Sequence, residues 1–218
     1  MSIETAPGES ADRPRHWDDV HDRRATDELT WFQPRAATSL ELIATAGTDT
    51  DAAVIDVGGG ASVLVDDLLD AGFGDVTVLD VSESALAATR RRLGPAADTV
   101  ESIATDLFDW SPTRHYSLWH DRAVFHFLVE KDQRVRYVEI LRESLAPDGH
   151  VVMATFAADG PLTCSGLPVC RYSPAELTTE LGSGFETVTT RREEHVTPTG
   201  AIQPFTWVLA RRQPDTGR

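Results

Sequence analysis

The feature that most restricts the fold is a junction. The short apolar run Ala52-Ala53-Val54-Ile55-Asp56-Val57 passes directly into Gly58-Gly59-Gly60-Ala61-Ser62, and then into the helical pattern Val63, Leu64, Asp67, Leu68. A run of β-branched residues without polar alternation reads as a strand buried on both faces, which a parallel sheet covered by helices provides. Glycines at the end of such a strand allow a tight turn and a close approach of a ligand to the backbone, and the following helix directs unpaired N–H groups to the same place. A small polar ligand is therefore expected at Gly58, Gly59 and Gly60.

The unit repeats. A strand Val76–Asp80 leads to a helix over 83–93 opened by Ser82, and a third strand lies near Val100–Ala104. Strand Tyr116–His120, helix Lys131–Leu145 closed by Pro147-Asp148-Gly149, and strand His150–Phe156 follow. Such alternation predicts an α/β, Rossmann-like, mostly parallel sheet with helices on both faces. The tail changes character, with a Gly/Pro-rich loop from Ala157 to Pro168, a helix Pro174–Leu181, and strands Glu186–His195 and Gln203–Arg211. Those last two pair most simply as an antiparallel hairpin, which makes seven strands. Upstream, Asp18–Glu28 reads as a polar helix, and Pro34 starts a second that Gly47 ends. Residues 1–12 and 213–218 read as disordered tails around a single domain over 13–212.

Composition narrows the partners. The chain has 218 residues, a net charge of -15 and one lysine, Lys131, so arginine supplies nearly all the positive charge. That surface repels nucleic-acid phosphates and suits a protein kept hydrated in concentrated salt, a halophile-like pattern. No window approaches the roughly 20 apolar residues of a membrane span, and the first residues are polar and acidic, so no membrane partner and a cytoplasmic location are expected. Two cysteines, Cys164 and Cys170, make no disulfide framework, and no spacing suggests a metal site.

The glycine turn alone admits a dinucleotide or S-adenosylmethionine. Asp56 precedes the glycines, where its carboxylate suits the amino group of a methionyl moiety and repels a pyrophosphate. Asp80 ends the second strand, where a carboxylate can accept hydrogen bonds from both ribose hydroxyls of either ligand. Asp106-Leu107 follows the third strand, where an acid and an apolar neighbour suit an adenine amine and its face. Asp56-x-Gly58-x-Gly60, Asp80 and Asp106 at these spacings resemble the cofactor motifs of class I S-adenosylmethionine-dependent methyltransferases. Leu145-Ala146-Pro147-Asp148-Gly149-His150 resembles that family's turn before the fifth strand, and the likeness runs from about residue 15 to 211. It implies a donor site made of Asp56, Gly58, Gly59, Gly60, Asp80, Val81, Asp106, Leu107 and His120. Ser62 stands where many members have a third glycine.

An acceptor site is expected at the end of the fourth strand, in Trp119-His120-Asp121-Arg122-Ala123-Val124-Phe125-His126-Phe127. Asp121, Arg122 and His126 are the candidates, with Asp121 placed to neutralise a cationic acceptor and His120 or His126 to take a proton. Trp17-Asp18, Trp31-Phe32 and Asp121-Arg122 are similar to segments of small protein-lysine methyltransferases, with Arg122 in place of a lysine. Cys164-Ser165-Gly166-Leu167-Pro168 and Glu194-His195-x-Thr197-Pro198-x-Gly200 resemble bacterial and archaeal methyltransferases of unassigned substrate. The acceptor is thus a small molecule or a protein side chain. The loop 157–171 is expected to close over it, with Gly160 and Gly166 as hinges, and His195 and Gln203 are further candidates to face it. Two other readings of the same turn remain: an NAD(P)-dependent oxidoreductase, and a catalytically silent donor-binding module. The sequence does not set the oligomeric state.

Overall fold

The strands β1 (Val54–Val57) and β2 (Val76–Asp80) are buried at every position, as strands covered on both faces must be. In the computed structural model, which describes residues 13–214, they join β3 (Val100–Ala104), β4 (Tyr116–Arg122) and β5 (Leu145–Phe156) in parallel. Residues 1–12 and 215–218, within the two expected tails, lie outside the described residues. The terminal strands β8 (Phe185–Val196) and β9 (Ile202–Arg212) pair antiparallel with each other, and β9 pairs antiparallel with β5. The seven-stranded order is β3-β2-β1-β4-β5-β9-β8.

Alternate side chains divide the interior into two cores. Val54, Val76, Val78, Leu118, Val152 and Phe156 face helices α2 (Ala37–Ala46), α3 (Leu64–Asp70) and α4 (Glu83–Leu93) through Leu42, Leu64 and Leu86. Ile55, Val57, Trp119, Val151 and Met153 face helices α5 (Lys131–Ser144) and α6 (Pro174–Leu181) through Tyr137, Ile140 and Leu177. Helix α4 is capped by Ser82, whose Oγ accepts from the Ala85 N–H at 3.1 Å. Helix α6 opens with a Ser173/Glu176 capping box and Pro174, as its sequence requires. No helix among the described residues is long and apolar enough to cross a membrane.

Several boundaries differ from expectation. The first helix, α1, is Arg13–Arg23 rather than 18–28, with a short 3₁₀ turn at Thr26–Glu28, and α2 begins at Ala37, three residues after Pro34. Strand β5 starts at Leu145 instead of 150, because Tyr116 pairs with Leu145 before an irregularity resets the register to Leu118–His150, with Asp148 at φ 60°. The expected loop 157–168 contains a two-stranded hairpin, β6 (Thr163–Cys164) and β7 (Leu167–Pro168), turning on Ser165 (φ 50°) and Gly166 (φ 81°). Positive φ at both central residues is what a tight hairpin turn needs.

The order 3-2-1-4-5 reverses direction between β1 and β4. The crevice at the carboxyl ends of those two strands is where an open α/β sheet receives ligands, and Asp56, Asp80, Asp106, His120 and Arg122 converge there.

Candidate active site

The three glycines are required individually. Gly58 (φ 66°) and Gly60 (φ 39°) have left-handed backbones. A Cβ at Gly58 would collide with Val124, and one at Gly59 with the Asp56 carboxylate. At Gly60 it would stand 2.7 Å from Asp80 Oδ2 and 3.2 Å from the Ala85 Cβ. The turn is thus a bare backbone surface that walls one side of the crevice together with Ala61, Ser62 and Val63.

Asp80 forms the next wall. Its Oδ1 accepts from the Ser82 N–H at 2.8 Å, and its Oδ2 lies over Gly60. Burial, reinforced by the charges of Asp56 and Asp18, pushes this carboxyl up to about 7, against the pull of the backbone hydrogen bonds. Asp18 comes from α1: its Oδ1 accepts from Ser82 Oγ at 2.7 Å and Ser84 Oγ at 3.0 Å, which fastens α1 over the start of α4. Asp106 is buried as well. Its Oδ1 accepts from the Phe108 N–H at 2.9 Å, while Oδ2 has no hydrogen-bond partner and lies 3.5 Å from the Arg13 guanidinium. Val81 and Leu107 also line the crevice.

On β4, successive side chains fall on opposite faces of the sheet. His120 shares the face of Asp56, its register partner, and its Nδ1 lies 2.6 Å from Asp56 Oδ1. Its Nε2 lies 2.9 Å from Ser39 Oγ on α2, so both ring nitrogens are engaged. His120 lines the crevice but is held as a brace between β1 and α2. Arg122, on the same face, also lines it. Its Nη1 donates to the Trp31 carbonyl at 3.0 Å, its guanidinium lies 4.6 Å from the Phe205 ring centroid, and its Nε and Nη2 are buried without partners.

Asp121 is the first correction. One residue along the strand, it faces the α5 side, is fully buried and does not line the crevice. Its Oδ1 accepts from the Val124 N–H at 2.8 Å, and its Oδ2 from the Phe125 N–H at 3.1 Å and from the Tyr137 hydroxyl at 2.5 Å. Burial pushes it up to about 6 despite those donors. It shapes the turn after β4 and is not available to neutralise an acceptor.

His126 is the second. Its ring packs between Phe127 and Phe156, at centroid distances of 4.4 and 4.8 Å, with both nitrogens buried and unpartnered, and it does not line the crevice. Burial, with the Arg122 charge second, lowers it to about 3, so it is neutral at physiological pH and takes no proton. Since each orphaned ring nitrogen costs roughly 1–3 kcal/mol, His126→Phe is expected to raise stability by about 1 kcal/mol and to leave turnover unchanged. Thermal unfolding and initial rates check this, and a large rate loss without a stability change would return His126 to the site.

The outer wall is aromatic and comes from the N-terminal segment. Trp17 meets Trp31 at 5.9 Å and Phe127 at 5.2 Å, both edge to face. Three contacts hold residues 30–33 in place: the Arg122 bond to Trp31, His195 Nε2 at 2.8 Å from the Thr30 carbonyl, and Gln33 Nε2 donating to Glu193 Oε1 at 2.8 Å. His195 therefore anchors this segment outside the crevice, whereas Gln203 lines it. Cys164 lines it too, its thiol pushed up to about 11 by burial. Gly160 is tightly packed, with a Cβ there 3.0 Å from the Ala157 carbonyl and 3.1 Å from the Phe156 Cβ, so it is a packing residue and not the expected hinge. Sequence reasoning missed Arg13, Ser39, Glu193 and Phe205. No local motif marks them, because each acquires its role from a partner at least 80 residues away.

Residues 55–151 match the family model of a methyltransferase domain. A search of curated proteins returns no match. Among solved structures, the chain is similar to the 1,6-didemethyltoxoflavin-N1-methyltransferase of Burkholderia thailandensis, solved with 1,6-didemethyltoxoflavin and S-adenosylhomocysteine (21% identity, 97% of this chain and 94% of that one, TM-score 0.73). It is also similar to an S-adenosylmethionine-dependent methyltransferase of Anabaena variabilis (15%, 98% and 99%, TM-score 0.71). A third is the N-methyltransferase NodS of Bradyrhizobium japonicum, solved with S-adenosylhomocysteine (16%, 90% and 98%, TM-score 0.69). The fold is the one these class I methyltransferase structures share, and the segment that matches the methyltransferase-domain model lies within it.

Proposed function

We propose that this chain transfers a methyl group from S-adenosylmethionine to a small-molecule or protein side-chain acceptor, within one domain over residues 13–212. The observation that carries this reading is the convergence of Asp56, Asp80 and Asp106, from the ends of β1, β2 and β3, on one crevice floored by a glycine turn that no Cβ fits. The residues suit the donor. Gly58, Gly59 and Gly60 offer their backbone to its methionyl part, Asp80 accepts from the two ribose hydroxyls, and the unpartnered Asp106 Oδ2 accepts from the adenine amine, with Leu107 and Val81 against the rings. A pyrophosphate in the same place would face this group of carboxylates and be repelled. When bound, the donor supplies a methyl group on a sulfonium, already an excellent leaving group.

The chain's own residues then have two tasks, alignment and exclusion of water. The Asp56–His120–Ser39 chain of hydrogen bonds fixes the end of β1 against β4 and α2, which sets the position of the turn. Trp17, Trp31 and Phe127 close the outer side against solvent. Arg122 borders the space on the β5 and β9 side, where the acceptor lies.

A pH titration tests the role of Asp80. Its folded value of about 7 lies above that of an unfolded aspartate, so the neutral carboxyl stabilises the empty protein at low pH. That contribution is lost as pH rises from about 4 through about 7. The ionised carboxylate is the better acceptor for two hydroxyls, so S-adenosylhomocysteine is expected to bind about tenfold more tightly at pH 8 than at pH 6. Calorimetry across this range checks it, with Asp80→Asn giving a flat profile; an equal slope in the variant would detach Asp80 from the ribose.

A further inference from the structure

Arg122 lines the acceptor side of the crevice and carries an unused recognition edge. A guanidinium has five N–H donors in a planar fork, and the Nε–H and one Nη–H run parallel along one edge, matched to the two oxygens of a carboxylate. In Arg122 the opposite side is spent, since Nη1 donates to the Trp31 carbonyl at 3.0 Å, and the guanidinium carbon stands over the Phe205 ring. The two nitrogens left are Nε and Nη2, the parallel pair, and both are closed from water without a partner. Among the described residues Arg122 forms no ion pair, and both oxygens of nearby Glu193 are committed, one to Gln33 and one to the Trp207 indole at 2.9 Å. A charged edge sealed from solvent and left unpaired is costly unless an anion completes it.

From this we infer that the methyl acceptor carries a carboxylate, which Arg122 receives on its Nε/Nη2 edge while an apolar or aromatic body lies against Trp17, Trp31 and Phe127. The anion reaches the edge by a rotation of the guanidinium toward the crevice, which Arg122 lines. The inference rests on the methyltransferase reading for the role of the bound acid, but the recognition edge does not depend on it. It also reverses the polarity expected from Asp121: the acceptor side is cationic, so it selects an anionic group on the acceptor and discriminates against a cationic one.

The test uses the full chain saturated with S-adenosylhomocysteine and a panel of probes: benzoate, phenylacetate, 3-phenylpropanoate and indole-3-acetate, each against its neutral amide. Ligand-observed NMR and thermal shift are the readouts. The expected result is binding of at least one acid, with its amide about tenfold or more weaker, and loss of that preference in Arg122→Gln, whose affinity for S-adenosylhomocysteine stays within about twofold of the parent. Arg122→Lys, which keeps the charge without the parallel pair, is expected to weaken the acid by about tenfold and serves as the readout if the glutamine variant does not fold. Acid and amide binding equally, no acid binding at millimolar concentration, or an unchanged acid affinity in both variants would overturn the inference. So would loss of S-adenosylhomocysteine from Arg122→Lys or Arg122→Gln, which would assign the edge to the donor's own carboxylate. If the parent chain binds no S-adenosylhomocysteine, the donor reading fails instead, and the acid-against-amide comparison on the unliganded protein still decides the role of Arg122.

Discussion

Asp80→Ala is expected to weaken S-adenosylhomocysteine binding about a hundredfold. A carboxylate accepting two ribose hydroxyls makes two charge-assisted hydrogen bonds, each worth about 1.5–3 kcal/mol; part of that is regained as water enters the space, and about 2.7 kcal/mol corresponds to a hundredfold. The unliganded variant should be no less stable than the parent at pH 8, because the residue removed is a buried carboxyl whose ionisation opposes folding there. Calorimetry and thermal unfolding on the same sample separate the two effects. A variant that binds normally, or one that loses binding only because it no longer folds, would contradict the assignment.

The opposite pattern is expected for Asp121→Ala. Removing this carboxylate strands the Tyr137 hydroxyl and the Val124 and Phe125 N–H groups in the interior. Loss of one partner from such a buried network costs about 3–5 kcal/mol, which in a domain of this size is a fall in Tm of roughly 10 °C. Donor affinity measured well below that Tm should change little, since Asp121 does not line the crevice. Chemical denaturation gives the stability, and calorimetry the affinity. A stable Asp121→Ala variant with abolished turnover would instead restore Asp121 to the acceptor site.

The two aspartates also indicate what the sequence makes legible. Asp56, Asp80 and Asp106 stand at the ends of recognisable strands, and a strand end in a parallel sheet has only one place to be, so their convergence follows from the β/α alternation. The glycine turn is legible for the same reason, because three consecutive glycines after a buried strand have few other uses. Asp121 and Arg122 are adjacent on a strand, and period-two alternation forbids both from facing the same crevice. The expected strand ended at His120, so this alternation became visible only with β4 running on to Arg122, where it separates the residue that lines the crevice from the one that does not.

His126 was legible only as chemistry. What makes it inert is the Phe156 ring against it, 30 residues along the chain, which no local pattern reveals. The same holds for Ser39 and Asp18, whose hydroxyl and carboxylate matter through a histidine on β4 and a helix cap on α4. The break in β5 pairing at Asp148 was hidden for another reason: a Pro-Asp-Gly sequence fits a helix-ending turn and an irregular strand equally well. Arg122, read first as a departure from a lysine, becomes the residue with the most specific unmet demand.

Binding of an adenosyl-methionyl donor in the crevice between β1 and β4 underlies every proposed role of these residues. It is tested most directly by titrating the full chain calorimetrically with S-adenosylmethionine, S-adenosylhomocysteine and NAD in parallel at pH 8. Saturable binding of the first two at one site per chain, abolished together by Asp80→Ala, with no heat from NAD, is the predicted result. Binding of NAD with silence from both sulfur compounds would contradict it.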